Sequence, residues 1–281
     1  MPGVRPKLVE HNLSLGQEIL NKLDGWVNSL VAPALPLLAT PEGDDAIRLE
    51  FRQQIPQSVM IGKLVRAVSG LRGALVLAEA GHITECAAAL RIVSDFCTEV
   101  STIGFALHRG GDLPTAVRDF VAQYFMPRAR TPDEFAATER TRYVSREALM
   151  KVHKTVAENH PVDINLLDRS HRFVNMAYDS YVHGACETTM ELWNPSTGSF
   201  EMRGHPFQEK REEFVEAVFL KMHEVVVAME LTAAVTAHAE VFTLVREARR
   251  AMDASEPWKY QAEPPRLKRR VSRTIDPTNR G

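Results

Sequence analysis

Apolar residues recur three and four positions apart through most of the chain, which is the spacing of one face of an α-helix. The alternation of apolar and polar residues that is typical of a strand is nearly absent. The spacing predicts helices at about residues 12–31, 44–54, 57–80, 82–108, 113–126, 132–158, 165–193 and 207–252. We therefore expect an all-α fold, a single multi-helix bundle of about eight helices.

Several of the predicted helix ends carry recognisable local chemistry. The segment 131–134, Thr-Pro-Asp-Glu, is a capping box with proline at the first helical position, and it predicts the start of a helix. Gly81 stands where one helix should end and the next should turn back. Pro56 and Pro161 mark the ends of other helical segments.

The chain is expected to form one helical domain followed by a tail. Between residues 193 and 206, an Asn-Pro dipeptide and a glycine predict a turn whose flanks form a short hairpin or loop. Residues 1–253 contain no linker, so we assign them to a single helical domain. Residues 254–281 are rich in proline and arginine and hold little that could enter a core, which predicts a flexible basic tail.

Composition indicates a folded protein without a membrane anchor. The 281 residues are 44% hydrophobic and 25% charged with a formal net charge of −2, so no strong overall field recruits nucleic acid. The longest apolar segment, 225–245, is interrupted by Glu230, His238 and Glu240, which a bilayer would disfavour. The first twenty residues lack the apolar core of a signal peptide, so we expect a cytoplasmic location.

The sequence favours neither a disulfide framework nor a metal site. Its three cysteines show no CxxC spacing. Glu79 and His82 form the only Glu-x-x-His pair of the kind that binds iron in helical bundles, and Gly81 should break the helix between them. We predict no metal and no cofactor.

Two predicted helices that are otherwise apolar each carry a stripe of polar residues. In the helix at 82–108 the spacing i, i+4, i+7, i+11 places four residues on one face: Arg91, Asp95, Thr98 and Thr102. In the helix at 165–193 six residues fall within about a third of the circumference: Asp168, Arg172, Asn175, Asp179, His183 and Cys186. These side chains form directional hydrogen bonds, whereas a solvated face is usually rich in lysine and glutamate.

If the two stripes face each other, they enclose a polar groove. Arg91 is then expected to pair with Asp179, and Asp95 with Arg172 or His183. A carboxylate beside His183 would fix its tautomer, as a proton-transfer role or a pH-sensitive clasp requires. The residues predicted to bind a ligand are Arg91, Asp95, Asn175, Asp179 and His183. The alternatives are a buried polar network that only specifies helix packing, or a second stripe that faces water.

The segments AAALRIVSD (87–95) and YDSYVHG (178–184) resemble a broad group of uncharacterised bacterial all-helical proteins. Some of these proteins are similar to the HEPN superfamily, whose helical domains often dimerise and often act as metal-independent ribonucleases in defence and toxin–antitoxin systems. The resemblance implies a homodimer formed through long helices and a bacterial defence or stress context.

The HEPN ribonuclease motif is an arginine followed, after four to six residues, by a histidine. Arg146 and His153 match it, although Glu147 stands where the family usually has a small polar residue. The face formed by Arg172 and His183 is the other candidate. The catalytic candidates implied by the resemblance are His183, Arg172, Arg146 and His153. The alternative for the Arg146–His153 match is an exposed pair on a charged helix.

The sequence therefore supports two functions of different classes. The leading hypothesis is a non-enzymatic protein that binds a protein partner or a small polar ligand in the groove between the stripes. The alternative is a HEPN-like metal-independent ribonuclease, and RNA is a partner only in that case. The basic cluster in the tail, from Arg266 to Arg273, could contact phosphates or could simply keep the chain soluble.

Overall fold

Helices make up most of the structure, so the expected all-α fold is confirmed. The computed structural model describes residues 6–34, 37–41, 47–126, 144–157, 176, 178–184, 186–194, 196–205 and 207–255. Its helices are α1 (Pro6–Ala34), α2 (Pro56–Glu79), α3 (Ile83–Arg109), α4 (Thr115–Tyr124), α5 (Arg146–Ala157), α6 (Cys186–Met190), α7 (Gln208–Val235) and α8 (Ala239–Asp253). Residues 178–182 are also helical. The capping box at 131–134, Pro161 and the tail beyond residue 255 lie outside the described residues.

The core forms where α2, α3 and α7 pack against one another. Leu64 and Leu71 of α2, Leu90 and Ile103 of α3 and Met222 of α7 are completely buried. Burying each such side chain contributes about 1.5–3 kcal/mol. Helices α1 and α8 pack on one side of this core and α5 packs against α3. Among the described residues, no helix is long and apolar enough to cross a membrane.

The helix predicted at 44–54 is wrong, because the chain forms a two-stranded antiparallel sheet there. Strand β1 (Leu37–Pro41) pairs with strand β2 (Ile47–Phe51). The sequence of β2, IRLEF, alternates apolar and charged residues, and this is the period of a half-buried strand. Strand β2 has only five residues, and over so short a segment the spacing of apolar residues in a helix is a weaker signal than this alternation.

Helices α2 and α7 end in the same geometry, although the sequence indicated only the first end. After α2, the amide of His82 donates to the carbonyl of Leu77 at 2.8 Å, and Gly81 has φ +83°. After α7, the amide of His238 donates to Ala233 at 2.9 Å, and Ala237 has φ 58°. Both are Schellman motifs. The helix predicted at 207–252 is therefore two helices, α7 and α8. The break between them was not predicted, because the turn residue is Ala237 and not the glycine that usually marks a helix end.

The helix predicted at 165–193 is also interrupted. Gly184 has φ +60°, and its amide donates to the Tyr181 carbonyl at 3.3 Å, so the helical residues 178–182 end there and α6 begins at Cys186. Gly184 therefore ends the helical residues 178–182.

The short hairpin predicted near 193–206 is confirmed, and the chain after it is fixed against the α2–α3 turn. Strands β3 (Trp193–Asn194) and β4 (Ser199–Phe200) are antiparallel. The amide of His205 then donates to the carbonyl of Gly81 at 2.7 Å. Gly204 has φ +108°, and a Cβ there would lie 2.4 Å from the carbonyl oxygen of Ala80. Only glycine fits this contact without movement of the backbone.

We predict that Gly204→Ala lowers the free energy of unfolding by about 2 kcal/mol or more, because it adds a backbone clash to an unfavourable φ. Gly198→Ala is the matched control, since Gly198 has φ +63° and its Cβ would meet no atom of the described residues within 4 Å. It should cost about 1 kcal/mol, for the dihedral angle alone. Urea unfolding of both variants measures the difference, and equal losses would contradict the proposed contact with Ala80.

Candidate functional site

The two polar stripes meet at Arg91. Its side chain is 8% exposed, and its Nε donates to Oδ1 of Asp179 at 2.8 Å. Its Nη1 pairs with Oδ1 of Asp95 on the next turn of α3. Burial alone would lower the pKa of Arg91, but the hydrogen bonds and charges of Asp95 and Asp179 raise it above its ordinary value. The predicted pairing of Arg91 with Asp179 is present.

Of the other residues of the second stripe, the structure describes only the side chain of His183. His183 is exposed at the end of the helical residues 178–182, and its backbone amide donates to the carbonyl of Asp179 at 2.9 Å. Asp168, Arg172 and Asn175 lie outside the described residues, as does the side chain of Cys186. The predicted groove residues that the structure brings together are therefore Arg91, Asp95 and Asp179.

Beyond Arg91, the polar stripe of α3 lines a cavity of about 310 Å³. Its polar wall consists of Asp95, Thr98, Glu99 and Thr102, and its apolar wall includes Phe120, Leu149 and Met150. This cavity thus lies between α3, α4 and α5, and the predicted groove between the two stripes stays a prediction. Asp95 belongs both to the cavity wall and to the contact with Arg91.

Local hydrogen bonds hold α5 in place beside the cavity. Ser145 precedes this helix, and its Oγ accepts a hydrogen bond from the amide of Ala148 at 3.2 Å, as an N-cap does. The amide of Val144 donates to Oε1 of Gln123 in α4 at 3.1 Å. The start of α5 is therefore attached to α4, which places Leu149 opposite the polar residues of α3.

The hydroxyl groups of the polar wall donate to the backbone of their own helix. Thr98 donates to the carbonyl of Ser94 at 2.9 Å, and Thr102 donates to the carbonyl of Thr98 at 2.8 Å. Nδ1 of His153 lies 3.0 Å from Oγ1 of Thr102. Since a hydroxyl has one proton, this arrangement assigns the proton of that bond to Nδ1 of His153. His153 is 6% exposed and packs against Phe105, with 5.9 Å between ring centroids.

Glu99 is a cavity residue that the sequence analysis missed. Its Oε2 lies 2.8 Å from Nζ of Lys63, which in turn lies 5.0 Å from the ring centroid of Phe96, 5.4 Å from that of Phe120 and 5.7 Å from that of Tyr124. Burial raises the pKa of Glu99, and Lys63 partly opposes the rise. The sequence signal for Glu99 was its spacing, since it follows Asp95 by four residues and so lies near it on the same side of α3.

A second buried ion pair, also missed, lies between α3 and α7. Lys221 is 4% exposed, and its Nζ is 2.6 Å from Oε1 of Glu224. Ser94 donates to Oε2 of Glu224 at 3.0 Å, and Lys221 lies 5.4 Å from the ring centroid of Tyr178. Burial would lower the pKa of Lys221, but Glu224 and Tyr178 raise it above its usual value. A lysine inside the apolar run AVFLKMHEVVV was the signal in the sequence.

The described cysteines do not form a reactive centre. Cys86 and Cys97 are free and buried. Burial raises the pKa of Cys86 to about 12 and that of Cys97 well above its ordinary value, so both remain neutral thiols near neutral pH. Among the residues that the structure describes, no group of three histidine, cysteine or acidic side chains could hold a metal ion.

Comparison of the chain with protein families, with curated proteins and with solved structures gives no match. The geometry of the cavity and of the ion pairs around it is therefore the basis for assigning a function.

We predict that Arg91 and Asp179 are energetically coupled. A double-mutant cycle with Arg91→Met and Asp179→Asn, followed by urea unfolding, should give a coupling free energy of about 1 kcal/mol. The buried guanidinium strengthens this pair, while the 45% exposure of Asp179 allows solvent to weaken it.

The matched control is the ion pair of Arg72 with Asp24, which are 37% and 52% exposed. The cycle with Arg72→Met and Asp24→Asn should give a coupling below about 0.5 kcal/mol. Additive losses at Arg91 and Asp179 would show that this contact does not hold the second stripe to α3.

Proposed function

We propose that the protein is a non-enzymatic binding protein that holds a small polar molecule in the cavity between α3, α4 and α5. The observation that carries this proposal is a cavity of about 310 Å³ with a polar wall on one side and an apolar wall on the other. Ligand sites in proteins start at about this volume and combine apolar surface with a few fixed polar groups. A molecule with a polar edge and a hydrocarbon portion matches both walls.

The polar wall is fixed before any ligand arrives. Asp95 is held by Arg91, and Glu99 by Lys63. Because these side chains are already ordered, a ligand does not have to immobilise them, which lowers the entropic cost of binding. This preorganisation supports a binding role.

The same contacts support binding over catalysis. Among the described residues that line the cavity there is no histidine and no cysteine, and each carboxylate is paired with a cation. A general base needs to reach a proton of the substrate, and a nucleophile needs an activating neighbour. The described lining residues offer neither arrangement.

The ribonuclease predicted from the HEPN resemblance remains an untested alternative. His153 is 6% exposed and hydrogen-bonded to Thr102, so its ring is not presented to an RNA phosphate. Arg172 and the side chain of Arg146 lie outside the described residues. RNA cleavage that survives a chelator but is lost in His153→Ala or His183→Ala would replace the binding proposal. The homodimer, the cytoplasmic location and the defence or stress context also remain predictions.

We predict that Thr98→Met weakens ligand binding at least tenfold, because the longer side chain enters the cavity. Thermal-shift screening of a fragment library against the native chain identifies the ligands, and isothermal titration then compares the variants. The control is Thr243→Met on α8, where an exposed threonine makes the same bond to the carbonyl four residues earlier. Fragments that bind native protein and Thr98→Met equally well would exclude the cavity as the binding site.

A further inference from the structure

One face of the hairpin formed by α2 and α3 is largely apolar and exposed. Val76 of α2 is 64% exposed and Ile92 of α3 is 52% exposed. Ser69 and Gly73 lie on the same side of α2 as Val76 and are exposed as well, and Ala89 of α3 is partly exposed. We call these five residues the hairpin face. Neighbouring apolar side chains that stay exposed on packed helices are typical of an interaction surface.

The hairpin face has a projection on one helix and an open position on the other. The two helices are joined by the turn at Gly81 and run antiparallel. A Cβ at Gly70 would lie 2.9 Å from Cγ2 of Val93, so Ile92 is level with Gly70. Gly73 lies about 4–5 Å further along α2, at a rise of about 1.5 Å per residue. Among the described residues, a Cβ at Gly73 would meet nothing within 4 Å beyond its own stretch of helix.

A two-fold axis perpendicular to the hairpin face makes this face complementary to itself. Such an axis lays α2 of one copy over α3 of the other, with both helices running in the same direction, so residues that meet are separated by a constant step in the sequence. The step from Gly73 to Ile92 equals the step from Arg66 to Glu85. One position of the axis therefore seats Ile92 over Gly73 and also brings Glu85 beside Arg66.

The charges at the two ends of the face suit this arrangement. Arg66 and Glu85 are both exposed, and neither has an ion-pair partner among the residues that the structure describes. Burial raises the pKa of Tyr124, and the positive charge of Arg66 opposes the rise, so Arg66 lies near the end of α4. Within one copy Arg66 and Glu85 stand at opposite ends of the hairpin face. A two-fold axis exchanges the ends and pairs the opposite charges twice.

We infer that the hairpin face binds a second copy of this chain and forms a two-fold symmetric dimer. Ile92 and Val76 supply the apolar area, and Gly73 supplies the space that lets the helices approach. The pairs of Arg66 with Glu85 fix the register, which is the usual effect of charges at the rim of an interface. This inference goes beyond the proposed function, because none of these residues lines the cavity between α3, α4 and α5.

Sedimentation equilibrium of the full-length chain measures the dimer. We expect a dissociation constant in the micromolar range, since the face is small. Arg66→Glu and Glu85→Arg should each weaken the dimer at least tenfold, because like charges then meet twice in the symmetric interface. The double variant Arg66→Glu/Glu85→Arg should recover the native constant to within about threefold. Only a direct contact between the two positions in different copies gives that recovery.

A substitution at Gly73 tests the interface without weakening the fold. Gly73→Gln fills the space that Ile92 requires, so the dimer should weaken at least tenfold. Glutamine favours a helix more than glycine does, so folding of the single copy should improve. The matched control is Gly25→Gln, since Gly25 is an exposed helical glycine of α1 whose Cβ would also meet nothing within 4 Å among the described residues. It should improve folding in the same way and leave the dimer unchanged.

Two outcomes would overturn the inference and leave the proposed cavity untouched. The first is a chain that stays monomeric at millimolar concentration. Slow alkylation of Ile92→Cys in that monomer would then show that another segment of the same chain covers the face. The second is a dimer whose dissociation constant changes neither in Arg66→Glu nor in Gly73→Gln, because its interface would lie elsewhere.

Discussion

The arrangement of the site depends on one constraint, the burial of the guanidinium of Arg91 in a helix that is otherwise packed into the core. A buried charge costs several kcal/mol unless it is paired and hydrogen-bonded. Asp95 supplies one partner from the same helix, and Asp179 supplies the other from a distant part of the chain. Satisfying Arg91 fixes the rotation of α3 about its axis, and with it the direction in which the threonines and Glu99 point.

Two further buried cations around α3 are also paired with carboxylates. Lys63 of α2 pairs with Glu99 of α3, and Lys221 of α7 pairs with Glu224, which also accepts from Ser94 of α3. Each of these contacts connects α3 to a different neighbour. Since buried ion pairs add little net stability, their physical effect is to make alternative packings of α3 costly. Another packing would separate Lys63 from Glu99 and would remove the Ser94 hydroxyl from Glu224.

The sequence predicted the features that depend on a single helix. The spacing of Arg91, Asp95, Thr98 and Thr102 was sufficient to place them on one face. It could not indicate which elements lie opposite that face, so the cavity that α4 and α5 form against α3 was not predicted. The spacing of residues along a helix indicates on which face of that helix a side chain lies. Which other helix packs against this face depends on the packing of the whole core.

A cavity beside the stripe follows from the same physical argument. Apolar side chains from α4 and α5 that filled the space against α3 would cover acceptors of Glu99 and the threonines, and each acceptor left without a donor costs about 1–3 kcal/mol. Lys63 already donates to Glu99, and His153 donates to Thr102. The remaining lone pairs of these oxygens can be satisfied by solvent or by a bound solute. The polar residues that specify how α3 packs are thus among the residues that line the cavity beside it.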